Sequence, residues 1–285
     1  MTPLRTLAFT LFALAAFASN SILCRLALGP GMIDPATFTT LRVAAGALTL
    51  ALMVRVTRRG GTAAHAGGGW RSGAFLFAYA ATFSFAYVTL SAGTGALLLF
   101  GCVQATMIAG AIRAGERPGP LQWAGLVIAL GGLVLLTAPG LSAPSPVGSL
   151  LMGAAGVAWG VYTLRGRGGG DPLRSTARNF ARAVPFAIVL SLIALAQRAI
   201  TPRGALLAVA SGAIASGVGY VIWYAALRGL STTRAATVQL SVPVLAALGG
   251  ILFLSETVTA RLALSALLIL GGVGLALAGR SLRAR

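Results

Sequence analysis

The chain alternates between long apolar runs and short breaks rich in glycine, proline and arginine. Runs of roughly 17 to 25 residues, long enough to cross a bilayer core as a helix, cover 4–27, 36–54, 73–89, 92–112 and 120–138, then 147–164, 177–197, 204–227, 235–254 and 260–279. Between them stand turn formers: Gly29-Pro30-Gly31, Gly60-Gly61, Gly67-Gly68-Gly69, Pro118-Gly119-Pro120, the 139–146 stretch and Gly168-Gly169-Gly170-Asp171-Pro172. The pattern predicts ten helices, and no break is long enough for a soluble domain. The first run has Arg5 ahead of it and Ala16-Phe17-Ala18 within it, as a secretory signal would. Apolar sequence continues past that point to Leu28, so the run reads as a retained first helix.

The pattern is also written twice. Residues 90–138 moved on by 140 become 230–278, and Leu90/Leu230, Ser91/Ser231, Ala96/Ala236, Gly110/Gly250, Glu116/Glu256, Gly131/Gly271 and Gly132/Gly272 coincide. The Glu pair weighs most, because the chain holds only four acidic residues. The same offset pairs Arg25 with Arg165, Arg42 with Arg182 and Arg58 with Arg198. Internal repetition at one register predicts two copies of one unit, 1–140 and 141–285, with five helices in each.

Composition then excludes a soluble protein: 57% of residues are hydrophobic, 9% are charged and the mean hydropathy is +0.89. A net charge of +18 would suggest nucleic acid in a polar chain. Here the basic residues are all arginine and lie mainly between apolar runs, which is membrane topology, and the reading is no nucleic-acid partner. Cys24 and Cys102 fall inside apolar runs without paired spacing, so neither metal nor disulfide is expected and no cofactor is called for.

Counting arginine by side orients the chain. With the amino terminus in the cytoplasm, Arg5, Arg55, Arg58, Arg59, Arg71, Arg113, Arg117, Arg165, Arg167, Arg174, Arg178, Arg182, Arg228, Arg234, Arg280, Arg283 and Arg285 face inward. Arg198, Arg203 and Arg261 face outward. The asymmetry predicts a multi-pass inner-membrane protein with both termini cytoplasmic. Because five is odd, the second unit enters the bilayer from the opposite side. The expected fold is therefore all-α, with ten transmembrane helices as two five-helix inverted-topology repeats. Secondary transporters use that arrangement to place a substrate site near the midplane.

Several motifs resemble the drug/metabolite transporter superfamily, EamA type. They are Leu41-Arg42-Val43, Ala226-Leu227, then Ser231, Ala235, Ala236, Gln239, Leu240 and Pro243, then Glu256 and Gly271, Gly272 and Gly274. The first half carries the parallel set Ser91, Ala96, Leu98, Leu99, Glu116, Gly131 and Gly132, with Val103 opposite Pro243. The resemblance spans essentially the whole chain and implies a transporter rather than an enzyme. Within the family the chain looks most like exporters of aromatic amino acids. That resemblance implies a small-molecule substrate, an aromatic or apolar amino acid, moved across a lipid bilayer.

Polar groups inside a bilayer are costly and mark candidate sites. Asn20 lies mid-helix, opposite Trp159-Gly160 in the repeat register, either as an interhelical hydrogen bond or as a ligand to an amino or carboxyl group. Gln104 and Gln239 are comparable. Tyr220, Trp223, Tyr224 and Leu227 recur at helical spacing and share one face. Their register counterparts are Ala80, Phe83, Ser84 and Tyr87, with Tyr79 nearby; such faces either pack helices or stack on an aromatic substrate. The candidate substrate-binding set is Asn20, Tyr79, Phe83, Gln104, Trp159, Tyr220, Trp223, Tyr224 and Gln239, with no catalytic or metal-binding residue. Arg42 and Arg182 read as snorkelling or helix-end groups, with direct carboxylate binding the alternative. Glu116 and Glu256 read as acids at helix amino termini, His65 as an inert loop residue, and Gly153, Gly156 and Gly160 as packing glycines.

Other functions fit less well. A permease for drugs or other metabolites shares every feature above. A polytopic membrane enzyme needs a convergent acid–base pair or metal ligands, which four carboxylates and one histidine do not supply. A channel would show a polar or charged ring along its pore. With no acid in the middle of any predicted helix, transport is expected to be facilitated diffusion. Nothing in the sequence sets an oligomeric state.

Overall fold

A computed structural model describes residues 2–57, 69–115, 117–140, 143–166, 171–230, 235 and 238–283. It is built of helices, with no strand among the described residues beyond an isolated bridge between Ile33 and Ile200. In chain order they are α1 (Pro3–Leu28), α2 (Pro35–Val56), α3 (Trp70–Ala86), α4 (Ala92–Arg113) and α5 (Pro120–Thr137). There follow α6 (Pro146–Arg165), α7 (Pro172–Ile193), α8 (Pro202–Leu227), α9 (Ser241–Leu254) and α10 (Ala260–Arg283). Eight of these are long and apolar enough to cross a membrane; α9 is a shorter apolar helix and α3 has 17 residues.

Local chemistry explains where the helices begin. Six start on proline at the first turn, where the missing N–H costs nothing and φ is already helical. Asp34, Ser145, Asp171 and Thr201 cap four of them, accepting from backbone N–H groups two or three residues on. Ser91 caps α4 in the same way through Thr94 N. Capping moves one expected boundary by most of two turns. The apolar run predicted from residue 177 starts at Pro172, because Asp171 Oδ1 accepts from Leu173 N and Arg174 N and carries the helix back through the polar Arg174 and Arg178. α3 runs from Trp70 to Ala86 rather than over 73–89, since Tyr87, Val88 and Thr89 form the turn into α4. α9 is helical from Ser241; of the earlier residues in that predicted run, 236 and 237 lie outside the described residues.

α8 carries a feature that composition does not announce. Its middle, Ser211–Val218, is wound as a π-helix, between α-helical Pro202–Ala210 and Gly219–Leu227. The wide turn lies against α2: Gly212 packs on the Arg42 carbonyl, and Gly217 on the Thr49 side chain. A Cβ at either glycine would meet those atoms at less than van der Waals separation.

Most of the helix pairing survives exchange of each helix with the one five places on. α3 packs on α6 and α8 on α1; α4 on α6 and α9 on α1; α2 on α8 and α7 on α3. Three pairs map onto themselves, α2 with α7, α4 with α9 and α5 with α10. The last pair is closest. Gly132 meets the backbone of Ile269, and its register counterpart Gly272 meets the backbone of Ala129. Side chains such as Leu48, Val134, Leu150, Ile193, Leu252 and Leu267 are turned outward and exposed, as on a surface whose solvent is lipid. The interior holds Phe38, Leu50, Leu76, Phe83, Tyr87, Leu97 and Met152.

Candidate functional site

A cavity of about 420 Å³ lies between α1, α3, α4, α6, α7 and α8. It runs from Phe17, Asn20 and Phe83 in the middle of the bundle to Arg165, Gly166, Pro172 and Leu227, where α6 and α8 end and α7 begins. All nine residues proposed from sequence stand on its wall: Asn20, Tyr79, Phe83, Gln104, Trp159, Tyr220, Trp223, Tyr224 and Gln239. Helical spacing puts them there. Tyr220, Trp223 and Tyr224 share one face of α8, and Tyr79 and Phe83 share one face of α3.

The rings touch in a continuous chain. Trp159 lies 4.8 Å from Tyr79 and 5.7 Å from Tyr220, the latter pair stacked at 22°. Phe17 meets Tyr220 at 5.6 Å and Trp223 edge-on at 5.8 Å, and Tyr79 meets Phe83 at 5.4 Å. Each such pair contributes about 0.5–1.5 kcal/mol beyond burial, so the wall is a stiff surface rather than a loose collection of side chains.

Polar tips punctuate it. Tyr224 and Thr176 share a hydroxyl hydrogen bond of 2.6 Å, and Asn179 Nδ2 donates to Tyr162 Oη at 3.3 Å. Asn20 Oδ1 accepts from Ser211 Oγ at 2.5 Å, so the interhelical bond expected of Asn20 exists on a side chain that also faces the cavity. Arg42 lies behind the wall: its Nη2 donates to Tyr79 Oη at 3.0 Å and its guanidinium sits over the Phe83 ring at 4.7 Å.

Sequence reasoning missed Phe17, Tyr162, Thr176 and Asn179, all cavity-lining. A signal existed: Phe17 falls three and four residues before Asn20 and Ser21, and Tyr162 three after Trp159, the spacing of one helix face. Tyr87, offered as the counterpart of Leu227, is not on the wall. It is buried beyond the cavity's inner end, its Oη donating to the Ala92 carbonyl at 3.3 Å and its ring covering Gly95.

That inner end is sealed. Arg25 Nη1 donates to the Tyr87 and Val88 carbonyls at 3.1 and 2.8 Å, and its Nε stands 3.8 Å from Glu256 Oε1. Both oxygens of Glu256 accept from Ala92 N at 2.9 Å. Glu256 therefore does sit at a helix amino terminus, but at that of α4 in the first half and not at that of α10, which follows it in sequence. Ser255, at φ 55°, takes the left-handed turn that delivers it there. Beside it the α1–α2 and α7–α8 connections are stitched by Asp34 N to Ala199 O and Thr201 N to Met32 O. Glu116 and His65 lie outside the described residues.

Rings, amides and hydroxyls around this cavity can hold a small molecule, and its described lining offers no nucleophile–base pair. Among the described residues no three His, Cys, Asp or Glu side chains come together as metal ligands. A model of the EamA-like transporter family matches residues 146–278, from α6 through most of α10. An uncharacterized protein of Pseudomonas aeruginosa, PA1977, is 53% identical over 280 residues that span 98% of this chain and 97% of its own length. The chain belongs to the EamA-like transporter family. As an EamA transporter of the drug/metabolite superfamily it is a multi-pass membrane protein acting on a small molecule in a lipid bilayer. A solved crystal structure aligns with 100% of this EamA chain and 99% of its own, with a TM-score of 0.66 at 20% identity, a likeness of fold.

Proposed function

We propose that this EamA transporter exports amino acids with aromatic or large apolar side chains, and related metabolites, across the inner membrane by alternating access. The carrying observation is the ring-walled cavity, open at the Arg165 end and sealed at the Arg25 end. Its 420 Å³ suits one ring-bearing small molecule, and Asn20, Gln104 and Gln239 offer hydrogen bonds to the backbone end of an amino acid. The open end is the cytoplasmic one, since the inward-facing arginines of the topology lie there, and both termini share that side.

The helix pairing supports ten spans in two inverted repeats, 1–140 and 141–285, because most of it is preserved when the halves are exchanged. Coupling is read as facilitated diffusion: the described carboxylates Asp34, Asp171 and Glu256 are engaged at helix ends and none lines the cavity. Purified protein in liposomes, assayed against Phe, Trp, Tyr, Leu, Ala and Lys, tests the substrate. Flux should favour the ring-bearing and large apolar members; equal flux for Ala and Trp would sink the assignment. A broader drug permease is favoured instead if apolar compounds without an amino-acid backbone compete equally well, which the mainly apolar surface of the wall makes the second reading.

A further inference from the structure

Charge behind the wall separates two kinds of aromatic substrate. Arg42 is 3% exposed, and its guanidinium lies 5.3 Å and 4.7 Å from the centres of the Tyr79 and Phe83 rings that face the cavity. Its Nη1 has no hydrogen-bond partner, and neither has Nη1 of Arg182. Arg182 packs on Gly73 where α3 meets α7, next to Ser72 and one turn from Asn179, both on the cavity wall. Arg165 stands at the mouth.

No described carboxylate answers these cations. Asp34 is bonded to Thr37 N and Ala199 N, Asp171 to Leu173 N and to Arg174, and Glu256 to Ala92 N and Arg25. A guanidinium inside a bilayer-spanning bundle is costly without a counter-anion. Ring faces over Arg42 compensate part of that cost. A carboxylate held in the cavity brings the missing charge. An ammonium on the same molecule cancels the gain and meets the same repulsion.

We propose that the cavity selects aromatic carboxylates without a free ammonium group, such as arylalkanoates and N-acylated aromatic amino acids, over the zwitterionic amino acids themselves. The proposal rests on the aromatic reading of the cavity and narrows the substrate proposed above, from the amino acids themselves to the related metabolites that keep the ring and the carboxylate.

The test is calorimetric binding to the detergent-purified full chain at neutral pH, with 3-phenylpropionate, N-acetylphenylalanine, phenylalanine and phenethylamine. Both anions should bind about tenfold or more tightly than phenylalanine, as expected for one uncompensated charge near one buried and one half-buried cation, with phenethylamine weakest. Phenylalanine binding as tightly as the anions would overturn the proposal and leave the aromatic reading standing. If none of the four binds, both fall. Arg182→Gln should shrink the anion preference to about threefold or less while ring binding persists. Arg42→Lys, which keeps the charge, should retain the preference, and Arg42→Gln should lose it. A preference unchanged in folded Arg182→Gln and Arg42→Gln proteins would overturn the assignment to these two arginines.

Discussion

Arg25 and Arg165 coincide when the sequence is moved on by 140 residues, and they meet opposite surroundings. Arg25 is locked onto the Tyr87 and Val88 carbonyls and paired with Glu256, at an end where Tyr87 is buried. Arg165 borders the cavity mouth together with Leu227, the register partner of Tyr87. The difference teaches that sealing is not written into either half alone. Glu256 comes from one half of the chain and Ala92 N from the other, so the closed end is a joint between the two halves, held by charge-assisted hydrogen bonds rather than by apolar packing alone.

Breaking that joint is the strongest way to test the contrast. Glu256→Ala removes the acceptor at the α4 amino terminus and the partner of Arg25, which should cost the sealed state about 1.5–3 kcal/mol. In a chain lacking Cys24 and Cys102, labelling of Gln104→Cys from the outer face should then rise about tenfold or more. Unchanged labelling in a folded protein means the end is sealed by something else.

Trp223→Ala probes the other side of the comparison, the wall of the open cavity. It should weaken ring-bearing substrates by about 1–3 kcal/mol and small ones much less. Equal loss for Phe, Trp, Leu and Ala in a folded variant would make Trp223 a packing residue. Asn20→Ala should have a smaller effect, about 0.6–2 kcal/mol, the range of an interhelical hydrogen bond such as the one from Ser211. Transport affinities of amino acids against their desamino analogues would tell lost stability from lost recognition. The smallest expected signal is zero. Flux in liposomes should carry no stoichiometric proton movement, and a pH-sensitive dye inside the vesicles that tracks substrate one for one would contradict facilitated diffusion.

Much of the helical layout and of the cavity wall is legible in the sequence, for identifiable reasons. Bilayer thickness sets the length of the apolar runs, and helical periodicity puts Tyr220, Trp223 and Tyr224 on one face, so helices and wall residues follow from spacing. What escaped depends on contacts distant in sequence or on capping. The start of α7 hinges on Asp171 reaching two amides, which outweighs the polar Arg174 and Arg178. Nothing near Glu256 in the chain says that its partner is Ala92, and the rings of Phe17 and Tyr162 belonged to faces already marked by Asn20 and Trp159. Glu116, the register counterpart of Glu256, lies outside the described residues.

The π-wound middle of α8 bears on how such a bundle can rock without losing its hydrogen bonds. An α-helix stretched or turned at one point must break its ladder, whereas eight residues of wider winding hold slack that can be passed along the helix by exchanging i→i+5 for i→i+4 partners. Gly219–Leu227, which carries Tyr220, Trp223 and Tyr224, can then swivel against Pro202–Ala210 as a crankshaft turns about its journal. Removing one residue from Ser211–Val218 would take up the slack, leave α8 as a plain α-helix and stop the swivel of its aromatic face. Amide hydrogen exchange should accordingly be fastest within α8 over 211–218, and an exchange rate uniform along α8 would make the winding a rigid ornament of the fold.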